Sequence, residues 1–112
     1  MTTVTKLKEA RALIERGWCQ GADAMTASGR SVFPEHGGAE RWCAGGACAA
    51  AAKDREIERP IFRTMLDSLL RAIPEHRPMT VSFWNDEPGR TQAEVLALFD
   101  RAIAAEEAKE KA

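Results

Sequence analysis

At 112 residues, with 45% apolar and 29% charged residues, 8 glycines and 5 prolines, the chain has the size and composition of one ordinary globular domain. Disordered, fibrous and multidomain classes are set aside. The 16 basic and 17 acidic residues give a net charge of −1 and are interleaved, so neither a basic arm for nucleic acid nor a polybasic membrane patch stands out.

The first helix is signalled by Val4, Leu7, Ala10 or Arg11, and Ile14 at the i, i+3, i+4, i+7 spacing, with Leu13 beside them. Gly17 stops it, and the expectation is a left-handed residue just past the helix end, with Trp18 folding back on Leu13. From Gly21 to Pro34 the helical period is lost. TASGRSVF there reads as a turn around Ser28-Gly29 with short extended flanks at 24–26 and 30–33, a small hairpin or irregular loop at about residues 22–34. AERWCAGGACAAAAKD predicts a second helix over 40–52 with Trp42, Cys43, Gly46, Ala47 and Ala50 on one stripe. Residues that small admit a close neighbour, inside the domain or in a homodimer. Gly45 and Gly46 cost about 2 kcal/mol of helix propensity, so backbone proximity is expected there.

Pro60 suits the first turn of a third helix, whose apolar face runs through Ile61, Phe62, Met65, Leu66, Leu69, Leu70 and Ile73 before Pro74 closes it. In MTVSFWND, Val81 and Trp84 favour a short helix capped by Thr80, while Val81 and Phe83 would suit a strand. Pro88-Gly89 is the preferred central pair of a type II turn. Thr91 and Glu94 form a capping box that opens the last helix, with Val95, Leu96, Leu98, Phe99, Ala102 and Ile103 inward. The expected fold is a mainly all-α, compact bundle of four to five helices over residues 1–104, with a frayed charged tail at 105–112. Leu7, Ile14, Trp42, Phe62, Met65, Leu66, Leu69, Val95, Leu98, Phe99 and Ile103 form its expected core.

No apolar run approaches the roughly 20 residues of a membrane span, and MTTVTKLKEARALIERG is a charged helix without a secretory apolar region. Three cysteines, an odd number, suit reduced thiols. The expected location is the cytoplasm, with no membrane association.

RGWCQGA, RWCAGGA and WNDEPGRTQAEVLALFDRAI together resemble a family of small bacterial and phage proteins known only as a domain of unknown function. Its members repeat a W-C-Q-G-A element, a W-C-x-x-G-A element and a W-N-D-x-P-G-R-T-x-x-E-V-L element. The resemblance spans most of the chain and implies one compact domain without supplying an activity. Gly45 and Cys48 stand where a larger aliphatic residue is more usual, which counts against a tight ligand cage on that helix.

The candidate chemistries are few. Zinc sites use paired ligands two to four residues apart, whereas no C-x-x-C occurs here. On a helix over 40–52, Cys43 and Cys48 would sit about 140° apart around the axis. A cysteine nucleophile needs a lowered pKa and a base, but Cys19 follows a helix C-terminus, whose partial negative charge raises a thiol pKa. His36 and His76, backed by Asn85 or Asp86, lie in loops where a solvated side chain is the default. No catalytic residue, metal or cofactor is assigned.

WNDEPGRT concentrates Trp84, Asn85, Asp86 and Arg90 in one turn, where binding residues commonly sit. The same residues also suit a purely structural turn, with Arg90 paired to Asp86 and Trp84 packed beneath. Gln20, between Cys19 and Gly21 and next to two side chains expected to be buried, must stay wet or bond something specific, and the WND turn is an obvious candidate. Trp18, Gln20, Trp84, Asn85, Asp86 and Arg90 are therefore the candidate binding residues. The expected function is a non-enzymatic accessory module that binds another protein. A small enzyme or ligand-binding domain using Cys19 and the WND turn is one alternative. A nucleic-acid-binding helical domain is another, disfavoured by the absence of net positive charge.

Overall fold

Helix α1 (Thr3–Arg16) is followed by three two-residue strands, β1 (Ala24–Met25), β2 (Ser31–Val32) and β3 (Arg41–Trp42). Four helices complete the chain: α2 (Ala44–Ala52), α3 (Pro60–Ala72), α4 (Val81–Asn85) and α5 (Gln92–Lys111). The computed structural model describes residues 2–53, 60–75 and 79–112. Among them no helix is long and apolar enough to cross a membrane.

α1 lies at the centre and packs on α5, α2, α3 and β3. Thr2 caps it, its hydroxyl accepting from the Thr5 N–H at 3.1 Å, and Val4, Leu7, Ala10 and Ile14 are buried as the spacing predicts. Two long-range bonds tie its ends to other helices. Lys6, buried on its inner side, donates Nζ to the Ala51 carbonyl at 2.9 Å, a cation on the last turn of α2. Gln92, at the start of α5, donates to the Ile14 carbonyl at 2.7 Å.

The region expected as a hairpin or irregular loop is a hairpin. β1 pairs antiparallel with β2, Ala24 opposite Val32 and Met25 opposite Ser31. Gly29 takes φ +89 and donates to the Thr26 carbonyl to close the turn. On its other edge β1 pairs with β3, giving the order β2-β1-β3.

β3 corrects the expected helix over 40–52. Trp42 is held on both sides: antiparallel to Ala24, and in a parallel bridge to Trp18. In that bridge its N–H donates to Gly17 O and its carbonyl accepts from Cys19 N–H. With both backbone groups taken by neighbouring chain, helix starts only at Ala44, and Cys43 becomes its N-cap, Sγ accepting from the Gly46 N–H at 3.2 Å. The stripe is therefore not continuous, because Trp42 and Cys43 lie outside the helix. Its small residues are spent inside the domain, where Ala44 to Ala49, Ala51 and Ala52 are buried.

Gly17 is corrected as well. Its φ of −177 is extended backbone, and the position excludes a side chain for a different reason: a Cβ there would lie 2.2 Å from the Glu40 carbonyl oxygen. Gly46 meets the same constraint more severely, its virtual Cβ being 1.9 Å from the Asp23 carbonyl oxygen. The backbone proximity expected at the glycine pair is thus contact with the chain entering β1.

α3 buries Met65, Ser68 and Leu69, with Ile73 just beyond it, while Phe62 and Leu66 are half-buried against the same core. Leu70, expected inward, is 41% exposed, since it lies about 100° around the axis from Leu69. Thr80 caps α4 and the Thr91–Glu94 capping box opens α5. α5 buries Val95, Leu98, Phe99, Ala102 and Ile103, and Leu96 is partly buried. The segment expected to fray from residue 105 is helical to Lys111, with Glu106 accepting from Ser68 Oγ at 2.9 Å.

Gly46→Ala forces backbone apart and is expected to destabilise the fold by about 2–3 kcal/mol. Gly45→Ala meets only the Ser82 hydroxyl at 3.3 Å and should change stability by less than about 1 kcal/mol. Urea unfolding of both variants checks the contrast, and equal effects would contradict it.

Candidate functional site

α4 and the turn after it bring together the residues singled out in WNDEPGRT. Asp86 ends α4, and the Arg90 N–H closes the next turn on the Glu87 carbonyl at 3.0 Å, with Gly89 at φ +86 as a type II turn demands. At the end of α4, the Asn85 side chain is fully buried. Its Oδ1 accepts from the Trp18 indole N–H at 2.8 Å and from the Ala44 N–H at 3.0 Å. Its Nδ2 donates to the Cys19 carbonyl at 3.2 Å and to Asp86 Oδ1 at 2.9 Å. A side-chain amide has two acceptor and two donor positions, and all four are used.

Gln20 completes the junction as its setting suggests. Its Nε2 donates to the Asn85 carbonyl at 3.0 Å and the Glu87 carbonyl at 2.9 Å. Asp86 Oδ1 also accepts from the Gly21 N–H at 3.0 Å, so Asp86 is not the partner of Arg90. The Arg90 guanidinium instead lies 3.8 Å from the Trp84 ring centroid and pairs with Glu87 at 2.7 Å, Glu75 at 3.4 Å and Glu94 at 3.5 Å. The Trp84 indole N–H points at the Glu75 carboxylate. The six candidate residues form two linked clusters, Trp18-Gln20-Asn85-Asp86 and Trp84-Arg90, whose polar groups bond largely within the chain.

The thiols are buried and unpaired. Burial pushes the Cys19 thiol up, partly offset by Arg41, and Sγ lies 3.6 Å from the Ala22 carbonyl. Burial drives Cys43 up to about 11 against the bond from Gly46, and raises Cys48, deep in the core, further still. Cys19 is thus held as a thiol chiefly by desolvation. His36 accepts the Gly38 N–H on Nδ1 at 2.9 Å and meets Phe33 edge-on. His76 lies outside the described residues. Among the described residues no group of three or more His, Cys, Asp or Glu is placed to hold a metal ion.

Trp84 and Arg90 line one concavity, of about 320 Å³, together with Pro74, Glu75 and Arg101, and another lies elsewhere. A cleft of about 440 Å³ runs between α1 and α2 beneath the loop at 34–39. Leu13, Ala50 and Trp42 give it apolar lining, while Arg16, Lys53, His36, Glu9 and Glu35 supply polar groups. Trp42 is anchored through its indole N–H to the Pro34 carbonyl at 3.0 Å, and the Arg16 guanidinium stands 5.3 Å from its ring centroid. His36 also borders an adjoining depression that contains Phe33 and Arg30. Sequence inspection missed this cleft because its residues come from three separated segments. The only local hint was a tryptophan in a run of small residues.

The sequence profile of a family of unknown function, DUF6197, matches residues 1–105, and the chain belongs to that family. Neither a curated protein nor a solved structure matches it.

Asn85→Ala strands the Trp18 N–H, the Ala44 N–H and the Cys19 carbonyl in a buried site, so a loss of at least about 3 kcal/mol is expected in urea unfolding. A loss under about 1 kcal/mol would contradict the bonding described. The raised Cys43 pKa has a signed consequence. The folded thiol holds its proton more tightly than the unfolded one, so stability present below the ordinary thiol range is lost as pH rises toward about 11. Cys43→Ser keeps the N-cap acceptor and removes this titration. Its stability should fall less than that of the native chain above pH 9, by about 2 kcal/mol, in denaturation series at stepped pH.

Proposed function

We propose that this chain, whose family carries no assigned activity, is a small non-catalytic binding module that presents the α1–α2 cleft to a partner protein. The cleft itself carries the proposal: a concave site with an anchored indole, apolar lining and charged rim, on a domain whose other conspicuous polar residues are engaged internally. Phe33, 63% exposed and the most exposed large apolar side chain among the described residues, stands beside it against His36. An aromatic at a mixed polar rim is characteristic of protein interfaces.

Three observations support this reading over the alternatives. Buried thiols with raised pKa values disfavour cysteine chemistry at the WND turn. A net charge of −1 offers no general attraction to nucleic acid. Free, buried thiols favour a reducing compartment such as the cytoplasm. In this proposal the Trp18-Gln20-Asn85-Asp86 and Trp84-Arg90 clusters support the domain that carries the cleft.

Selection from a random dodecapeptide display library, followed by amide and indole chemical-shift mapping, tests the proposal. Enriched peptides are expected to shift Trp42, His36, Leu13 and Ala50. Shifts centred on Trp84, Asp86 and Arg90, or no enrichment, would overturn it.

A further inference from the structure

With the cleft as the binding face, we infer that its occupant is an extended acidic segment of the partner, with one carboxylate on Arg16 and a second on Lys53, four residues apart. Arg16 and Lys53 are exposed, both line the cleft, and neither has a carboxylate partner among the described residues. The acidic groups of the same cleft are already engaged. Glu9 lies 3.6 Å from Lys6, and Glu35 has a partner of its own within the chain. Among the described residues the cleft therefore offers two cations without a carboxylate partner, while both of its acidic groups are engaged, a charge pattern that selects carboxylates.

The spacing follows from the helices. Lys6 reaches the Ala51 carbonyl, while Trp42 N–H meets the Gly17 carbonyl, so α1 and α2 run antiparallel and Arg16 and Lys53 stand at opposite ends of α2. Nine residues of helix at about 1.5 Å each separate them by about 13 Å. An extended peptide advances about 3.3 Å per residue, and residues i, i+2 and i+4 face one side. Carboxylates at i and i+4 thus reach both cations, and the side chain at i+2 falls on the apolar middle, Leu13 and Ala50. Arg16, the last residue of α1, stands near the Trp42 ring, so the first carboxylate meets a guanidinium beside an aromatic face.

The test uses labelled synthetic peptides with the full chain. The probe is Gly-Glu-Ser-Leu-Ser-Glu-Gly, compared with its Gln-for-Glu counterpart and with a peptide whose two Glu are only two residues apart. Anisotropy and chemical shifts should show the first peptide in the cleft, binding at least about tenfold tighter than the other two. Arg16→Glu and Lys53→Glu should each abolish that preference, and Arg63→Glu, on the surface of α3, should leave it unchanged. Equal binding of the Glu and Gln peptides in the cleft, or a preference that survives both reversals, overturns the acidic occupant while the cleft stands as the binding face. Absence of binding by the probe also overturns it, whereas the fate of the cleft as binding face is decided separately by the library selection.

Discussion

The arrangement of this domain depends on one buried amide. Asn85 joins the end of α4 to the Trp18 side chain and the Cys19 backbone on one side, and to the first amide of α2 on the other. A buried amide with unmet hydrogen bonds is strongly unfavourable, and one with all four met fixes its neighbours in a single geometry. Trp18 is thereby tied to the end of α4. The chain from Gly17 to Cys19 is laid straight, and it becomes a backbone partner for Trp42.

The rest of the α2 entry follows from that alignment. Trp42, bonded on both edges, cannot begin a helix, so Cys43 becomes the cap. The amides of the first turn, normally left over at a helix start, are met by unusual acceptors: Ala44 by Asn85, Gly46 by the Cys43 sulfur, and Cys43 itself by the Asp23 carbonyl. The close approach of Asp23 leaves no room for a side chain at Gly46. α2 is then held along α1 by Lys6 at its far end, and the two helices with the Pro34-anchored Trp42 leave the cleft open between them. Residues that look like a reactive site in the sequence fix the geometry around the cleft, and the cleft is lined by residues that look ordinary.

The legible parts of the sequence are those governed by local rules. Thr80 before VSFWN, and Thr91 with Glu94, mark helix starts because a cap and its amide lie within three residues. The turn at Ser28-Gly29 and the faces of α1 and α5 are local in the same sense. Gln20 was readable for a different reason: an amide next to two apolar side chains expected in the core, Trp18 and Cys19, must stay wet or find a partner, and the WND turn lay to hand. The start of α2 was not readable, because Arg41-Trp42 has helix-compatible neighbours and becomes a strand only through Ala24 and Trp18, residues remote in sequence. Gly46 was visible as an anomaly of helix propensity and Gly17 as a helix stop, but not the backbone each one touches. The pairing of Arg90 failed similarly: Asp86 is as near in sequence as Glu94, but its carboxylate accepts from Gly21 and Asn85, and Arg90 turns to Glu75, Glu87 and Glu94.

Native-state hydrogen exchange at two protons, the Trp18 indole N–H and the Ala44 amide N–H, tests the role of Asn85 most directly, since both are bonded to the same oxygen. If the amide is the joint on which the fold depends, both protons exchange only through global unfolding, with a free energy equal to that from denaturant titration. Exchange of either one through a local opening several kcal/mol below the global value would contradict that role.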